Sequence, residues 1–130
     1  MAQFTIYGHA DVLVPRREAM SREIHGSAVA VLGLPEDKRA HRFLPLGEGD
    51  FLAPAGRSRD YTIIEVRMFE GRTVATKKAL YRDLYARFER ELAIAPTDLE
   101  IILLETPRHD WGIRGLPGDE LTDLTYRIDV

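Results

Sequence analysis

Residues 61–105 read YTIIEVRMFEGRTVATKKALYRDLYARFERELAIAPTDLEIILLE, and this stretch decides the fold. The segment YTIIEVRMF predicts a strand with Ile64, Val66 and Met68 on one face. The turn EGRT follows, with Thr73 placed to cap a helix, and apolar residues recur every four positions from Leu80 to Leu92. The apolar run LEIILLE predicts another strand. This stretch therefore predicts a β-α-β unit whose parallel strands are joined by a right-handed crossover.

The first part of the chain repeats this pattern with weaker signals. Residues 2–7 alternate like a strand, and Pro15 suits the first turn of a helix whose apolar positions end at Gly33. The segment HRFLPL, which starts at His41, predicts the second strand. We predict one domain (residues 1–130) with two pseudo-repeats at about 2–46 and 61–105, followed by a C-terminal tail at 112–130.

Two further segments have less regular patterns. Residues 47–59 contain GEGD and APAGRSR and predict a flexible or lid-like loop. The last six residues of the tail, TYRIDV, alternate as a terminal strand would.

Composition limits the classes of function. The net charge of −3 argues against a nucleic-acid binder, because contact with phosphates requires a basic face. The chain contains no cysteine, which excludes thiol catalysis and Cys-ligated metals, and we expect no metal and no cofactor. No apolar run is long enough to span a membrane, so we expect no membrane contact and a cytoplasmic location.

The pattern of apolar residues also bears on assembly. Two helices can cover only one face of a four-stranded sheet, yet the run IILL at residues 101–104 is apolar at consecutive positions. An uncovered apolar face usually marks a partner surface. We therefore expect an α/β (α+β) fold of tandem β-α-β units, with a four-stranded sheet and two helices on one face, that associates as a homo-oligomer.

The stretch from Phe69 to Glu105, together with DWGIRG at residues 110–115, resembles the tautomerase superfamily. The shared marks are the Glu-Gly-Arg-Thr turn before a lysine-containing helix and the aromatic-Gly-Ile-x-Gly segment near the end. The double unit and the segments IHGSAVAVLGLPEDKR (24–39) and AGRSRDY (55–61) are most similar to the long-chain branch that includes malonate semialdehyde decarboxylase. The resemblance implies a trimer with three sheets facing inward and the helices outside.

The resemblance also implies a site at the start of the first strand. Members of the superfamily expose an N-terminal proline whose amine acts as base or acid on small 2-oxo, enol or unsaturated acids, while arginines hold the carboxylate. Ala2 takes the place of that proline, and its primary amine could form a Schiff base. Ala2 and Arg72 are the predicted catalytic residues, although a solvated turn arginine is the alternative for Arg72. Proline-dependent activity is expected to be weak, altered or lost, and a non-catalytic trimeric binding or assembly protein is the alternative.

Four further positions are candidates for contact with a small carboxylate ligand. Trp111 corresponds to the pocket-lining aromatic of the superfamily, with core or interface packing as the alternative, and Arg114 could replace a missing cationic partner. Lys38 stands where the decarboxylase branch has an aspartate, and Asp37 lies one place earlier. His41 opens the second strand near the expected pocket and is a candidate acid–base group, since its reference pKa is about 6.5.

Overall fold

The structure is a computed structural model that describes residues 1–122, 124 and 126–130. The helices and strands, in chain order, are β1 (Ala2–His9), α1 (Ala10–Leu13), α2 (Arg17–Leu32), β2 (His41–Leu46), β3 (Thr62–Phe69), α3 (Val74–Leu92), β4 (Leu99–Thr106), β5 (Gly112–Ile113) and β6 (Leu116–Pro117). Among the described residues, no helix is long and apolar enough to cross a membrane.

The main sheet has the strand order β2-β1-β3-β4. Strand β1 runs parallel to β2, and β3 runs parallel to β4, whereas β1 and β3 are antiparallel with Ala2 opposite Met68. Helices α2 and α3 contact each other, and their buried residues share one core with the inward side of the sheet. The predicted fold of tandem β-α-β units, a four-stranded sheet and two helices on one face is confirmed.

Helix α3 follows the predicted pattern closely. The Thr73 hydroxyl accepts a hydrogen bond from the Thr76 amide at 3.2 Å, which caps the first turn. The side chains at Leu80, Leu84 and Phe88 are fully buried, so the spacing of four residues places them on the face toward the sheet.

Helix α2 begins later than its sequence predicts. Pro15 lies in a 3₁₀ turn (Val14–Arg16) between α1 and α2, and Arg16, with φ −104° and ψ 1°, interrupts the helical geometry. The end of α2 is as predicted, because Gly33 adopts the left-handed conformation with φ 70°.

The end of the loop before β3 is anchored by side-chain contacts. Ser58 donates through its amide and hydroxyl to the Asp98 carboxylate at 2.7 and 2.6 Å, and the Arg59 guanidinium contacts both carboxylate oxygens of Asp11. Phe51 packs beside His9, at the end of β1 that is far from Met1. These contacts place the loop at the opposite end of the sheet from the N-terminus of its own chain.

The C-terminal tail does not form the expected strand. Thr125 lies outside the described residues, and residues 126–130 have no strand pairing. Instead, the carbonyl of Val130 accepts hydrogen bonds from the Thr73 amide at 3.0 Å and the Thr76 hydroxyl at 2.9 Å. The tail therefore crosses the β3–α3 turn and packs at the start of α3.

Candidate functional site

A cavity of about 420 Å³ lies beside the start of β1, between the first residue and the tail. Its size is in the range of small-molecule sites, and its lining combines apolar side chains with charged ones. The lining residues are Met1, Asp37, Lys38, Phe69, Ile113, Arg114, Leu121, Leu124 and Tyr126.

Met1 lines this cavity, and its amine donates a hydrogen bond to the Tyr126 hydroxyl. The pKa of this amine is lowered from 8.0 to about 5 by burial and nearby cations together, and burial is the largest cause because the charged form loses its hydration. The cations that contribute to this shift are Arg72, Arg108, Arg114 and Lys38. The amine is therefore neutral at pH 7 and has a free lone pair.

Arg72 lies outside the lining of the cavity but close enough to lower the pKa of the Met1 amine, and only 5% of its surface is exposed. Its Nη1 atom donates to the carbonyl of Phe69 at 3.3 Å, while Nε and Nη2 are buried without a hydrogen-bond partner among the described residues. Burial lowers the pKa of this guanidinium, and Tyr126 and Glu105 partly offset the effect. A buried guanidinium with unused donors is suited to bind a carboxylate, which would accept two parallel hydrogen bonds.

Arg108 organises the wall that faces the amine. Its Nε donates to the carbonyl of Gly118 and its Nη2 to the carbonyl of Leu121, both at 3.1 Å, and its guanidinium lies 5.6 Å from the ring centre of Phe69. A Cβ atom at Gly118 would lie 2.2 Å from the Arg108 carbonyl oxygen, so only glycine fits this close approach. Arg108 therefore holds the segment from Gly118 to Leu121 in place, and Leu121 lines the cavity.

Trp111 does not line the cavity, although the sequence predicts a pocket-lining aromatic there. Its indole N–H donates to the Thr106 hydroxyl at 2.7 Å, and its ring packs edge-on against Phe69 at 5.1 Å. Because Phe69 itself lines the cavity, Trp111 supports the wall from behind.

His41 also lies outside the lining of the cavity. Its Nδ1 is 2.8 Å from the Ser21 hydroxyl, and its ring packs edge-on against Phe4 at 5.2 Å. Burial, with Arg39 and His25 nearby, lowers the pKa of His41 from 6.5 to about 4. His41 is therefore a neutral packing residue at pH 7. Within the described residues, no group of three or more His, Asp or Glu side chains is arranged to hold a metal ion.

The remaining predicted positions are close to the cavity. Lys38 and Arg114 line it, together with Asp37. Ala2 is 1% exposed and paired with Met68, so in this structure the free amine belongs to Met1.

Sequence reasoning missed two important groups, Arg108 and Tyr126. Both lie in the irregular C-terminal part of the chain, where no helical or strand period marks a functional position. Tyr126 lies in TYRIDV, whose alternation predicts a strand and not a site, and Arg108 lies before the tail in a segment without a periodic pattern.

The fold and the site together define an α+β protein with a small cationic cavity around a buried amine. Residues 38–114 match the Tautomerase_2 family, described as "Tautomerase enzyme", and this chain belongs to that family.

Three known proteins illustrate the similarity. The "Probable tautomerase YusQ" of Bacillus subtilis (strain 168) is 28% identical over 99 residues, which are 72% of this chain and 78% of that protein. FG41 malonate semialdehyde decarboxylase inhibited by 3-bromopropiolate has a similar structure, with a TM-score of 0.71, 25% identity, and coverage of 85% of this chain and 87% of that chain. A fused 4-OT wild-type asymmetric trimer has the same fold at a TM-score of 0.81, with 20% identity and coverage of 92% of this chain and 98% of that chain.

Proposed function

We propose that this chain is an enzyme that binds a small 2-oxo, enol or unsaturated carboxylate and transfers a proton within it through its N-terminal amine. The observation that carries the proposal is the amine of Met1 in the cavity, with its pKa lowered to about 5. An amine that is neutral at pH 7 can accept a proton from a bound substrate and return it to another atom.

The charges around the cavity favour a small anion. Lys38 and Arg114 line the cavity, and Asp37 is the one acidic side chain among its described lining residues. Arg72 and Arg108 also lower the pKa of the Met1 amine through their positive charges. A carboxylate would offset this excess of positive charge and could satisfy the unused donors of Arg72. The similar decarboxylase is inhibited by 3-bromopropiolate, which is itself a small carboxylate.

The proton transfer follows from this arrangement. With the carboxylate of an enol acid held by cations, the neutral amine removes the proton of the enol hydroxyl. The resulting ammonium then delivers a proton to the neighbouring carbon, which gives the oxo acid and restores the amine. The Tyr126 hydroxyl orients the amine lone pair through its hydrogen bond.

The absence of proline at the first two positions changes the character of this base. The amine is primary at Met1, and it remains primary at Ala2 if Met1 is removed. We therefore propose an activity altered from that of a proline-dependent tautomerase.

We also propose that the chain works as a homotrimer. Leu44, Ile102 and Leu104 are 37%, 45% and 36% exposed on the sheet face that the helices leave open. Apolar side chains in this position favour burial against other copies, and the fused 4-OT neighbour is a trimer. Analytical ultracentrifugation should give three times the 14.8 kDa mass of one chain, and a monomer at micromolar concentration would contradict this assembly.

Ketonisation of the enol form of phenylpyruvate, followed by ultraviolet absorbance, tests the activity. We expect a rate above the buffer background for the wild type and for Arg82→Met, which removes an exposed arginine on α3. We expect a strong loss for Arg72→Met. If the wild type reacts at the background rate and the Ala2→Pro variant is active, the primary amine is not a competent base. If the wild type and the Ala2→Pro variant both bind the carboxylate but do not turn it over, a non-catalytic binding protein is favoured.

A further inference from the structure

We propose that His25, a buried histidine of α2, is a positioning residue for the candidate site, because it holds the turn that presents Asp37 and Lys38 to the cavity. The inference rests on the proposed function, since Lys38 is one of the cations that would attract the carboxylate. It goes beyond that function by assigning the placement of Lys38 to a side chain that lies outside the cavity lining.

The segment from Pro35 to Lys38 forms a turn beside the cavity. The Lys38 amide donates a hydrogen bond to the Pro35 carbonyl at 3.0 Å, which closes a β-turn with Glu36 and Asp37 at its centre. Asp37 and Lys38 both line the cavity. Residues on a loop bind a ligand well when a rigid scaffold holds the loop, so the contact that fixes this turn also fixes its charged side chains.

His25 binds this turn from the neighbouring helix. Only 6% of its surface is exposed, and its Nε2 lies 2.8 Å from the carbonyl oxygen of Glu36. A carbonyl oxygen can only accept a hydrogen bond, so Nε2 carries the hydrogen and donates it. The other ring nitrogen, Nδ1, is buried without a hydrogen-bond partner among the described residues. An apolar side chain of similar size would avoid the cost of burying Nδ1, so the polar contribution of this imidazole is its bond to Glu36.

The same face of α2 also holds the other end of the segment. Ser21 precedes His25 by four residues, which places both side chains on one face of the helix. The Ser21 hydroxyl lies 2.8 Å from Nδ1 of His41 and accepts a hydrogen bond from Nη1 of Arg39 at 3.4 Å. The cavity-lining residues of the turn are therefore fixed to α2 on both sides.

The two anchors differ in their surroundings. The imidazole of His25 is buried, whereas the bond from Arg39 to Ser21 is exposed and longer. A hydrogen bond is electrostatically stronger in the interior than at the surface. The His25 bond also ends on Glu36, which directly precedes the cavity-lining residues, so its loss should release the turn where it faces the ligand. We therefore assign the positioning to His25.

Substitutions at His25 separate the hydrogen bond from the packing of the ring. His25→Leu fills a similar volume and removes the donor. His25→Gln keeps an amide N–H that can reach the Glu36 carbonyl, whereas His25→Asn carries the same amide on a side chain that is one methylene shorter. Ser27→Ala is the control, because Ser27 is a fully buried residue of the same helix whose hydroxyl has no hydrogen-bond partner among the described residues.

Isothermal titration with pyruvate gives the first measurement. We expect Lys38→Met to weaken the affinity by about tenfold, and His25→Leu and His25→Asn by about three- to tenfold. His25→Gln and Ser27→Ala should bind pyruvate like the wild type. In the Lys38→Met background, His25→Leu should change the affinity by less than about twofold, because its effect acts through Lys38.

Acetylation of lysines in the absence of ligand gives the second measurement. The protein is treated with a low concentration of acetic anhydride, and mass spectrometry compares the labelling of Lys38 with that of Lys78, an exposed lysine of α3. We expect the ratio of Lys38 to Lys78 labelling to rise by about threefold or more in His25→Leu and His25→Asn, because local release of the turn exposes the Lys38 amine. His25→Gln should restore the ratio of the wild type.

The outcomes separate this inference from the proposed function. Weaker binding and faster Lys38 labelling in His25→Leu and His25→Asn, both restored in His25→Gln, support the positioning role. Wild-type affinity in those two variants, or an undiminished effect of His25→Leu in the Lys38→Met background, overturns it and leaves the proposed function intact. If the wild type binds no pyruvate, the proposed function fails, and Lys38 labelling then decides this inference: a restored ratio in His25→Gln supports it, and an unchanged ratio in all variants overturns it.

Discussion

The amine of Met1 donates a hydrogen bond to the hydroxyl of Tyr126, although 125 positions separate the two residues in sequence. This contact joins the start of β1 to the C-terminal tail and closes one side of the cavity. The last residue of the tail is tied to the first turn of α3 through the Val130 carbonyl. The tail is therefore part of the candidate site and not a loose extension of the fold.

Replacing Tyr126 by phenylalanine should preserve the shape of the cavity wall and remove its hydroxyl. We expect the free energy of unfolding to fall by about 1 kcal/mol, the usual contribution of one hydrogen bond. We expect kcat to fall by about 10- to 100-fold with little change in carboxylate affinity, because the hydroxyl orients the amine and not the carboxylate. Urea denaturation and steady-state kinetics measure the two effects. An unchanged kcat would exclude a role for the hydroxyl in the reaction.

Replacing Arg72 by methionine should weaken binding of a small carboxylate by about 10- to 100-fold, the cost of losing a charged hydrogen bond. Because Arg72 is one of the cations that lower the pKa of the terminal amine, this pKa should rise in the variant. The free energy of unfolding should fall by at most about 1 kcal/mol in the variant, because two buried donors of Arg72 have no hydrogen-bond partner among the described residues. Isothermal titration with pyruvate measures the affinity, and Arg82→Met is the control for the loss of one positive charge. Equal affinities in both variants would exclude Arg72 from the binding site.

The terminal amine should make stability depend on pH between about 5 and 8. In this window the unfolded chain, with an amine pKa of 8.0, binds more protons than the folded chain, with a pKa of about 5. Stability therefore rises with pH across the window and this contribution becomes constant above pH 8. Urea denaturation at several pH values should show a steeper rise for the free protein than for protein acetylated at its N-terminus. Parallel curves for the two would mean that the amine is not buried.

His41 should add a second dependence at lower pH. Its pKa is about 4 in the folded chain against 6.5 for an exposed histidine, so the unfolded chain binds more protons between these values and stability falls as the pH decreases from 6.5 to 4. His41→Gln should reduce this loss of stability at low pH. His109→Gln should leave it unchanged, because the His109 side chain is 68% exposed. Acid denaturation followed by circular dichroism compares the variants. Because His41 lies outside the cavity lining, its replacement should leave kcat within about threefold of the wild type, and a larger loss would indicate a catalytic role.

Gly71 should tolerate alanine poorly, because it combines a φ of 130° with a close approach of the tail. A Cβ atom at this position would lie 2.9 Å from the carbonyl oxygen of Ile128. Gly49 has a positive φ of 88° but nothing within 4 Å of the added atom, so Gly49→Ala is the matched control for backbone strain alone. We expect the free energy of unfolding to fall by at least about 1 kcal/mol more in Gly71→Ala than in Gly49→Ala. We also expect Gly71→Ala to bind a carboxylate more weakly. Equal losses would mean that the tail does not pack on this turn.

Most of the fold could be predicted because its signals are local and repeated. The four-residue spacing from Leu80 to Leu92, the Thr73 cap and the Gly33 stop each depend on a few neighbouring residues. The start of α2 could not be predicted as well, because Pro15 is compatible with a 3₁₀ turn as well as with a first helical turn. Glycine and proline in residues 47–59 indicate a loop but not what anchors its end, here Asp11 and Asp98, and its lid-like role stays a prediction.

The sequence by itself determined the tandem β-α-β units, the two helices on one face and the position of Arg72 in the β3–α3 turn, because periodicity and turn residues act over short distances. Only the tertiary structure decided that Met1 and Tyr126 meet at one cavity and that Arg108 acts on the same amine, while Trp111 and His41 remain outside the lining. The physical reason is burial: the loss of water around the amine, more than the identity of its residue, sets its pKa, and that loss depends on chain segments more than 100 positions apart.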